Sequence, residues 1–364
     1  MKILHVSTII EWRGGDNQML TTYSILKSHQ DLQQFIFCPE NSILEKKCIE
    51  EAIPHFTASR NAKYSIAFIK KLYQIIKNEQ ITILHLHDSK AFTMSLFIVN
   101  FFPQLKLVYS RKRNNKIHKN FFKTLKYNHN RINRIVCVSQ AVKDVLKPVL
   151  NEESKAQVIY DGIDVDKFTS SKSTGILRST YSIPKDVLII GNIAGLTKQK
   201  DLFTFLDTAK IILNQTKKEL KFLIIGQGNL EAELKNYTKE LGIQNEVIFT
   251  GFRNDVPKIL PELDLFLLSS ETEGLPLSIM EAFACKVPVV ATAAGGIGEA
   301  ITNGITGMIS PVKNPDLLAA NTLKLINNQE LRDKIVSAAF EVVNAKFNLK
   351  IMEKEYYSLY KSLD

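Results

Sequence analysis

The segment Glu273-Gly274-Leu275-Pro276-Leu277-Ser278-Ile279-Met280-Glu281-Ala282 sets two carboxylates eight positions apart around a Gly-Leu-Pro turn that opens a helix. The apolar run Leu263 to Leu268 before it has the composition of a buried strand ending in Ser269-Ser270, and Leu277 to Cys285 after it has helical periodicity. Strand, loop and helix in that order make one α/β unit. In open α/β sheets ligands collect beyond the carboxyl ends of the strands, where helix N-termini offer free N–H groups and partial positive charge. That chemistry fits a phosphate.

Neither acid suits a phosphate ligand, because like charges repel. Glu273 and Glu281, about one helical turn beyond Leu277, are instead suited to accept hydrogen bonds from sugar hydroxyls. A nucleotide-sugar carries both phosphates and hydroxyls.

Outward from this segment, strand-like runs alternate with helical patterns, as in doubly wound βαβ architecture. The first half offers Lys2 to Ser7, Gln34 to Cys38, Ile83 to Leu86, Lys106 to Ser110, Arg134 to Val138 and Gln157 to Tyr160. The second half offers Val187 to Ile193, Lys221 to Ile225, Glu246 to Thr250, Leu263 to Leu268 and Pro288 to Ala291. The polar stretch Asp166 to Lys185 has the composition of a hinge. Two Rossmann-like α/β domains are expected, residues 1–165 and 166–345, facing a central cleft. A last amphipathic helix runs from Lys346 to Leu363.

The 364 residues, 45% hydrophobic, suffice for two cores. Cys38, Cys48, Cys137 and Cys285 have neither CxxC pairing nor zinc spacing, which suggests a reducing compartment and no structural metal. The beginning Met1 to Thr8 lacks the length of a signal segment, and Phe92 to Phe102 is about half a membrane span. A cytoplasmic location is expected. Residues 1–165 hold 24 Lys and Arg against 14 Asp and Glu, and the rest hold 23 against 23, so the whole net charge of +10 lies in the first half. Ser89 to Lys143 contains no acid. Within it Ile117 to Lys126 mixes Lys with Ile, Phe and Leu like an interfacial helix, so Arg111, Arg113, Lys119, Phe121, Phe122, Lys123 and Lys126 are candidates for an anionic membrane surface or a lipid-linked acceptor. No nucleic-acid-binding module accompanies the charge.

His85 and His87 flank Leu86 at a strand end; the expectation is that their rings turn to opposite faces with one buried. With only Asp88 beside them, no metal site is expected. Gly14-Gly15 follows the first strand and lets backbone amides approach either a diphosphate or an acceptor; a plain turn is the alternative. No GxGxxG occurs, which argues against a dinucleotide dehydrogenase.

The Glu-Gly-Leu-Pro-x4-Glu-Ala block resembles the signature of the retaining nucleotide-sugar glycosyltransferases of family 4, which have the GT-B fold. Gly14-Gly15, His85-Leu86-His87, Val138-Ser139, Asp161-Gly162-Ile163-Asp164, Leu196 to Lys200, Ile225-Gly226-Gln227-Gly228, Thr250-Gly251-Phe252 and Gly295-Gly296 fit the same family in the same order. The resemblance implies a metal-independent hexosyl transfer from a UDP- or GDP-sugar to a glycan or lipid-linked acceptor. It also implies bacterial cell-surface polysaccharide or lipopolysaccharide synthesis, peripheral on the inner face of the cytoplasmic membrane, and no cofactor. By the same resemblance Lys200 contacts the donor diphosphate, Glu273 the donor sugar and Glu281 the ribose. Gly274, Leu275, Pro276, Leu277 and Ser278 line the donor, and the amides that the stretch Leu275 to Ser278 offers carry the phosphates. His87 lies near the transferred sugar, Arg253 near the nucleobase, and the last helix packs back on the N-terminal domain. The family's usual arginine is Gly195 here, so Lys198 or an arginine of the basic segment is left to replace it. The rival expectations are a GT-B nucleotide-sugar epimerase and a non-catalytic sugar-nucleotide-binding protein.

Overall fold

Two parallel sheets, one per unit, carry the alternating pattern into three dimensions. The computed structural model describes residues 1–364 apart from 13, 61 and 63. One unit comprises residues 1–161 with 350–364, the other residues 162–349.

The first sheet contains β1 (Lys2–Val6), β2 (Gln33–Pro39), β3 (His55–Ala58), β4 (Ile83–Leu86), β5 (Lys106–Arg111), β6 (Ile132–Cys137) and β7 (Ala156–Val158), ordered β3-β2-β1-β4-β5-β6-β7. The second contains β8 (Leu188–Ile193), β9 (Leu220–Ile225), β10 (Val247–Gly251), β11 (Leu265–Leu268), β12 (Val289–Thr292) and β13 (Met308–Ser310), ordered β10-β9-β8-β11-β12-β13. The chain order reverses between β1 and β4 and between β8 and β11. Both are topological switch points, where doubly wound sheets open a crevice. Ile3, Leu4, Ile189, Ile190, Leu265 and Phe266 are all at most 1% exposed, as strands covered on both faces require. Sequence patterning missed β3 and β13, short edge strands of mixed composition that pair on one side only.

The stretch expected to be a hinge is instead anchored within the second unit. It holds the helices Val165–Thr169 and Ile176–Thr180, and the second begins after Gly175, which has no side chain to cap it. The carboxylate of Glu262 does so, accepting from the amides of Ile176 at 2.8 Å and Leu177 at 3.0 Å.

The final amphipathic run, expected from Lys346, begins its helix only at Leu349. The helix Gln329–Lys346 stops, and Leu349–Lys361 forms a separate one. Between them the main chain pairs with Ile163, whose N–H donates to Phe347 at 2.9 Å and whose carbonyl accepts from Leu349 at 3.2 Å. Gly162 permits this approach, since a Cβ there would stand 2.6 Å from the Asn348 carbonyl oxygen. Periodicity cannot register a break made by distant backbone. The last helix buries Met352, Tyr356, Leu359 and Tyr360 in the first unit, each such side chain contributing roughly 1.5–3 kcal/mol.

Candidate active site

In the second unit the crevice between β8 and β11 gathers the signature residues. After β8 the chain makes a tight turn, Lys198–Lys200, and passes through Asp201 at φ 42° into the helix Leu202–Gln215. After β11 it runs through Ser269 and Ser270 to Glu273, then into the helix Leu277–Ala284. Lys200 and Glu273 meet across the switch point, Nζ to Oε1 at 2.6 Å. Ser270 Oγ donates to the same oxygen at 2.7 Å. Ser269 Oγ fixes the opposite loop by donating to the carbonyls of Asp201 at 2.8 Å and Lys200 at 3.1 Å. The Glu271 N–H donates to Gln199 at 2.9 Å. A lysine next to a helix N-terminus needs an anion beside it, and Glu273 is that anion here.

The helix Leu277–Ala284 starts after Pro276 with no side-chain cap. The amides of Leu277 and Ser278 are therefore the donors that Gly274-Leu275-Pro276 delivers to this crevice. Glu281 lies one turn along the same helix, and burial pushes its carboxyl up to about 7 against the pull of Lys167.

The loop after β9 lies close to the chain at residues 194–196. A Cβ on Gly226 would stand 2.0 Å from the Ala194 carbonyl oxygen, and one on Gly228 2.3 Å from that of Leu196, so both positions require glycine. Gly195 is different: a Cβ there would meet nothing nearer than 3.8 Å. Arg253 follows β10, but its guanidinium is engaged by Asp255, Nε to Oδ1 at 2.8 Å and Nη2 to Oδ2 at 2.5 Å. It is tied to its own loop.

The first unit places a different set at its β1/β4 switch point. His85 and His87 are both buried and share one face, with ring centroids 4.1 Å apart. The expectation of opposite faces fails because side chains alternate along a strand, which returns residues two apart to the same side. Their third neighbour is His5 of β1, which sequence reasoning missed; its place opposite His85 in the parallel register is the signal. His5 Nδ1 lies 3.0 Å from His87 Nε2, and His5 Nε2 lies 3.1 Å from Gln34 Oε1. His85 bridges Tyr360 Oη at 2.6 Å and Ser110 Oγ at 2.8 Å. Burial lowers His5 to about 4 and holds His85 and His87 well below the usual histidine value. The three have one ligand atom each within 4.8 Å of one another. Five of their ring nitrogens are engaged by Gln34, Tyr360, Ser110 and each other, a hydrogen-bonded network tying the last helix to the sheet, and His87 Nδ1 alone has no hydrogen-bond partner among the described residues. Gly14 and Gly15 open the helix Gly14–Ile25 itself, two residues earlier than the sequence suggested, because glycine's poor propensity did not stop the first turn.

The basic segment divides in two. Arg111 is buried, donating to Tyr127 Oη at 3.2 Å and the Asn115 carbonyl at 2.9 Å. Lys126 donates to Thr93 Oγ1 at 2.7 Å and the Ser89 carbonyl at 3.0 Å, with its ammonium 4.6 Å from the Phe92 ring centroid. Arg111 serves the interior of the unit, and Lys126, half-buried, is tied to the helix Ser89–Leu96, so both are engaged within the unit. The expected interfacial helix spans only Phe121–Tyr127. Phe121, Phe122 and Leu125 on it are 75%, 79% and 58% exposed, and Arg113 and Lys119 are exposed with Lys123 half-buried. No helix among the described residues is long and apolar enough to cross a membrane.

Comparison with known proteins places this geometry. Residues 28–167 match the family model for Glycosyltransferase Family 4, and residues 175–342 that for Glycosyl transferases group 1. The chain is 26% identical to an Escherichia coli UDP-Gal:alpha-D-GlcNAc-diphosphoundecaprenol alpha-1,3-galactosyltransferase, over 96% of both chains. It is 24% identical to the Bacillus anthracis N-acetyl-alpha-D-glucosaminyl L-malate synthase, over 85% of this chain and 82% of that one. The crystal structure of Anabaena HepE in complex with UDP superposes with a TM-score of 0.86 over 100% of both chains at 21% identity, a likeness of fold. Two doubly wound sheets of this kind constitute the GT-B fold, and with both halves matched in order the chain belongs to the family 4 glycosyltransferases.

Proposed function

We propose that this glycosyltransferase moves a hexose from a UDP- or GDP-sugar to a glycan or lipid-linked acceptor, with retention and without a metal, in the synthesis of a bacterial cell-surface polysaccharide. The observation that carries the reading is the Lys200–Glu273 pair across the β8/β11 switch point beside an uncapped helix start. Lys200 is a mobile cation held ready by a carboxylate. When a diphosphate enters, its charge competes for the ammonium, which frees Glu273 to accept from the donor sugar's hydroxyls. The amides of Leu277 and Ser278 stabilise the same phosphates, and Glu281 accepts from the ribose. Charge developing on the leaving diphosphate is met by groups already in place, the arrangement that lowers a transition state most.

In this reading Glu273 and Ser270, hydrogen-bonded to one another, hold the sugar and do not attack it. Retention then follows same-face attack, the acceptor hydroxyl passing its proton to a leaving phosphate oxygen. The lipid-linked acceptor is supported by the name of the Escherichia coli relative, whose acceptor is a diphosphoundecaprenol-linked sugar. Phe121, Phe122 and Leu125 exposed among basic residues support a peripheral position on an anionic membrane. The test is incubation with UDP- and GDP-hexoses and an undecaprenyl-diphosphate-linked sugar, with the anomeric configuration of the product read by NMR. A donor isomerised with no acceptor present would make the protein an epimerase instead.

A further inference from the structure

The first unit also contains a charged pair that its own fold leaves incomplete. Lys112 directly follows β5 and Asp161 follows β7 by three residues, so both stand beyond carboxyl ends of the sheet. Their side chains are 14% and 6% exposed, and Nζ lies 3.9 Å from Oδ1. That is too long for a hydrogen bond. Among the described residues nothing else bonds to the ammonium or to that oxygen, and the Nδ1 atom of buried His87 is likewise unmatched. Burying such groups unpaired is costly, and it persists in folded proteins chiefly where a ligand or water completes the set.

These atoms belong to one place. Lys112 acts electrostatically on His5, His85 and His87, and Asp16 and Asp161 act on Lys112. Asp16 is held by Ser7 Oγ at 2.7 Å, and a Cβ on Gly15 would lie 3.9 Å from Lys112 Cδ. The ammonium thus lies beside the β1/β4 switch point and the glycine turn that opens the first helix.

We propose that Lys112 and Asp161, flanked by His87, form a hydroxyl-binding subsite of the first unit that takes a neutral sugar. A hydroxyl oxygen can bridge two atoms this far apart: it accepts from the ammonium and donates to the carboxylate, and a vicinal diol engages both at once. An anion is the poorer ligand, because two carboxylates, Asp16 and Asp161, face the one ammonium. The assignment deepens the glycosyltransferase reading by naming residues that select the sugar, but its test does not depend on transfer.

Saturation-transfer NMR on the full chain provides that test, with methyl α-galactoside, methyl α-glucoside and methyl N-acetyl-α-glucosaminide as probes. UDP affinity is measured separately by calorimetry. At least one glycoside is expected to bind, Lys112→Met and Asp161→Asn each to weaken it by about tenfold or more through loss of a charge-assisted hydrogen bond, and pyrophosphate not to displace it. The double variant, which removes both charges together, stands in for any single variant that fails to fold. Binding of no glycoside, unchanged binding in the folded variants, or displacement by pyrophosphate would each overturn the subsite. Loss of UDP binding by the unaltered chain would instead overturn the donor-site reading and leave this one standing.

Discussion

Lys200 and Glu273 lie 73 positions apart in the chain and 2.6 Å apart in space, each carried by the loop that follows one strand of the β8/β11 switch point. An ion pair poised where a diphosphate is proposed to bind couples two functions, one toward the phosphates and one toward the sugar.

Lys200→Ala is expected to lower turnover by roughly a hundredfold or more, the scale of removing one preorganised charge donor. Glu273→Ala is expected to spare UDP affinity while reducing transfer, because its partner in the complex is the sugar. The double variant should lose less than the sum of the singles, since the pair acts as one unit. Strict additivity, from steady-state kinetics with each variant, would separate the two roles.

Glu281 supplies a pH signature. With its carboxyl pushed up to about 7, ribose recognition by the ionised form requires nucleotide affinity to rise as pH increases through 7. Calorimetric titration with UDP from pH 6 to 8 measures it, and Glu281→Gln provides the baseline, because UDP has a titration of its own. The variant is expected to lose the additional rise and to bind UDP about 1–3 kcal/mol more weakly at pH 8. Equal slopes in the two proteins would remove Glu281 from the ribose.

Stability should respond to pH in the opposite region of the chain. His5 titrates at about 4 when folded and near 6.5 when unfolded, so between those values only the unfolded state takes up the proton. The contribution is intact above 6.5 and is lost as pH falls toward 4, about 3 kcal/mol for His5, with His85 and His87 adding in the same direction. Glu281 opposes it, because a carboxyl raised to about 7 favours the folded state as pH falls from 7 to its unfolded value. Thermal midpoints of the unaltered chain should therefore drop from pH 6.5 to 4.5, and more steeply in Glu281→Gln. A flat profile in both would contradict the buried neutral histidines. Tyr360→Phe, which removes the 2.6 Å bond to His85, is expected to cost about 1 kcal/mol at any pH in this range.

Most of the strands and the loops holding Lys200 and Glu273 were legible in the sequence because buried parallel strands announce themselves as apolar runs and chemistry follows their carboxyl ends. The partners were not. Nothing in Met1 to Val6 marks His5 as a neighbour of His87, since that contact is created by the parallel register of β1 and β4. Charge counting likewise left Arg111 and Lys126 free at the surface, whereas Tyr127 and Asn115 engage the first and Ser89 and Thr93 the second within the unit. Composition gives the number of cations in a segment but not the direction in which each side chain points.

That division sharpens the membrane prediction. With Arg111 and Lys126 engaged internally, the outward set is Arg113, Lys119, Phe121, Phe122 and Lys123. Each basic residue near an anionic bilayer contributes about 1 kcal/mol, screened over about 8 Å at physiological salt, and the two phenylalanines add apolar burial that salt does not screen. The chain is expected to sediment with vesicles containing phosphatidylglycerol but not with phosphatidylcholine alone. Lys119→Glu with Lys123→Glu should abolish that binding, and Phe121→Ser with Phe122→Ser should weaken it at all salt concentrations, both pairs leaving UDP affinity intact. Lys126→Glu should act differently: it breaks the bonds to Ser89 and Thr93 and lowers the thermal midpoint. Equal sedimentation with both vesicle types, or with neither, would remove the membrane surface and leave a soluble glycan as the acceptor to test.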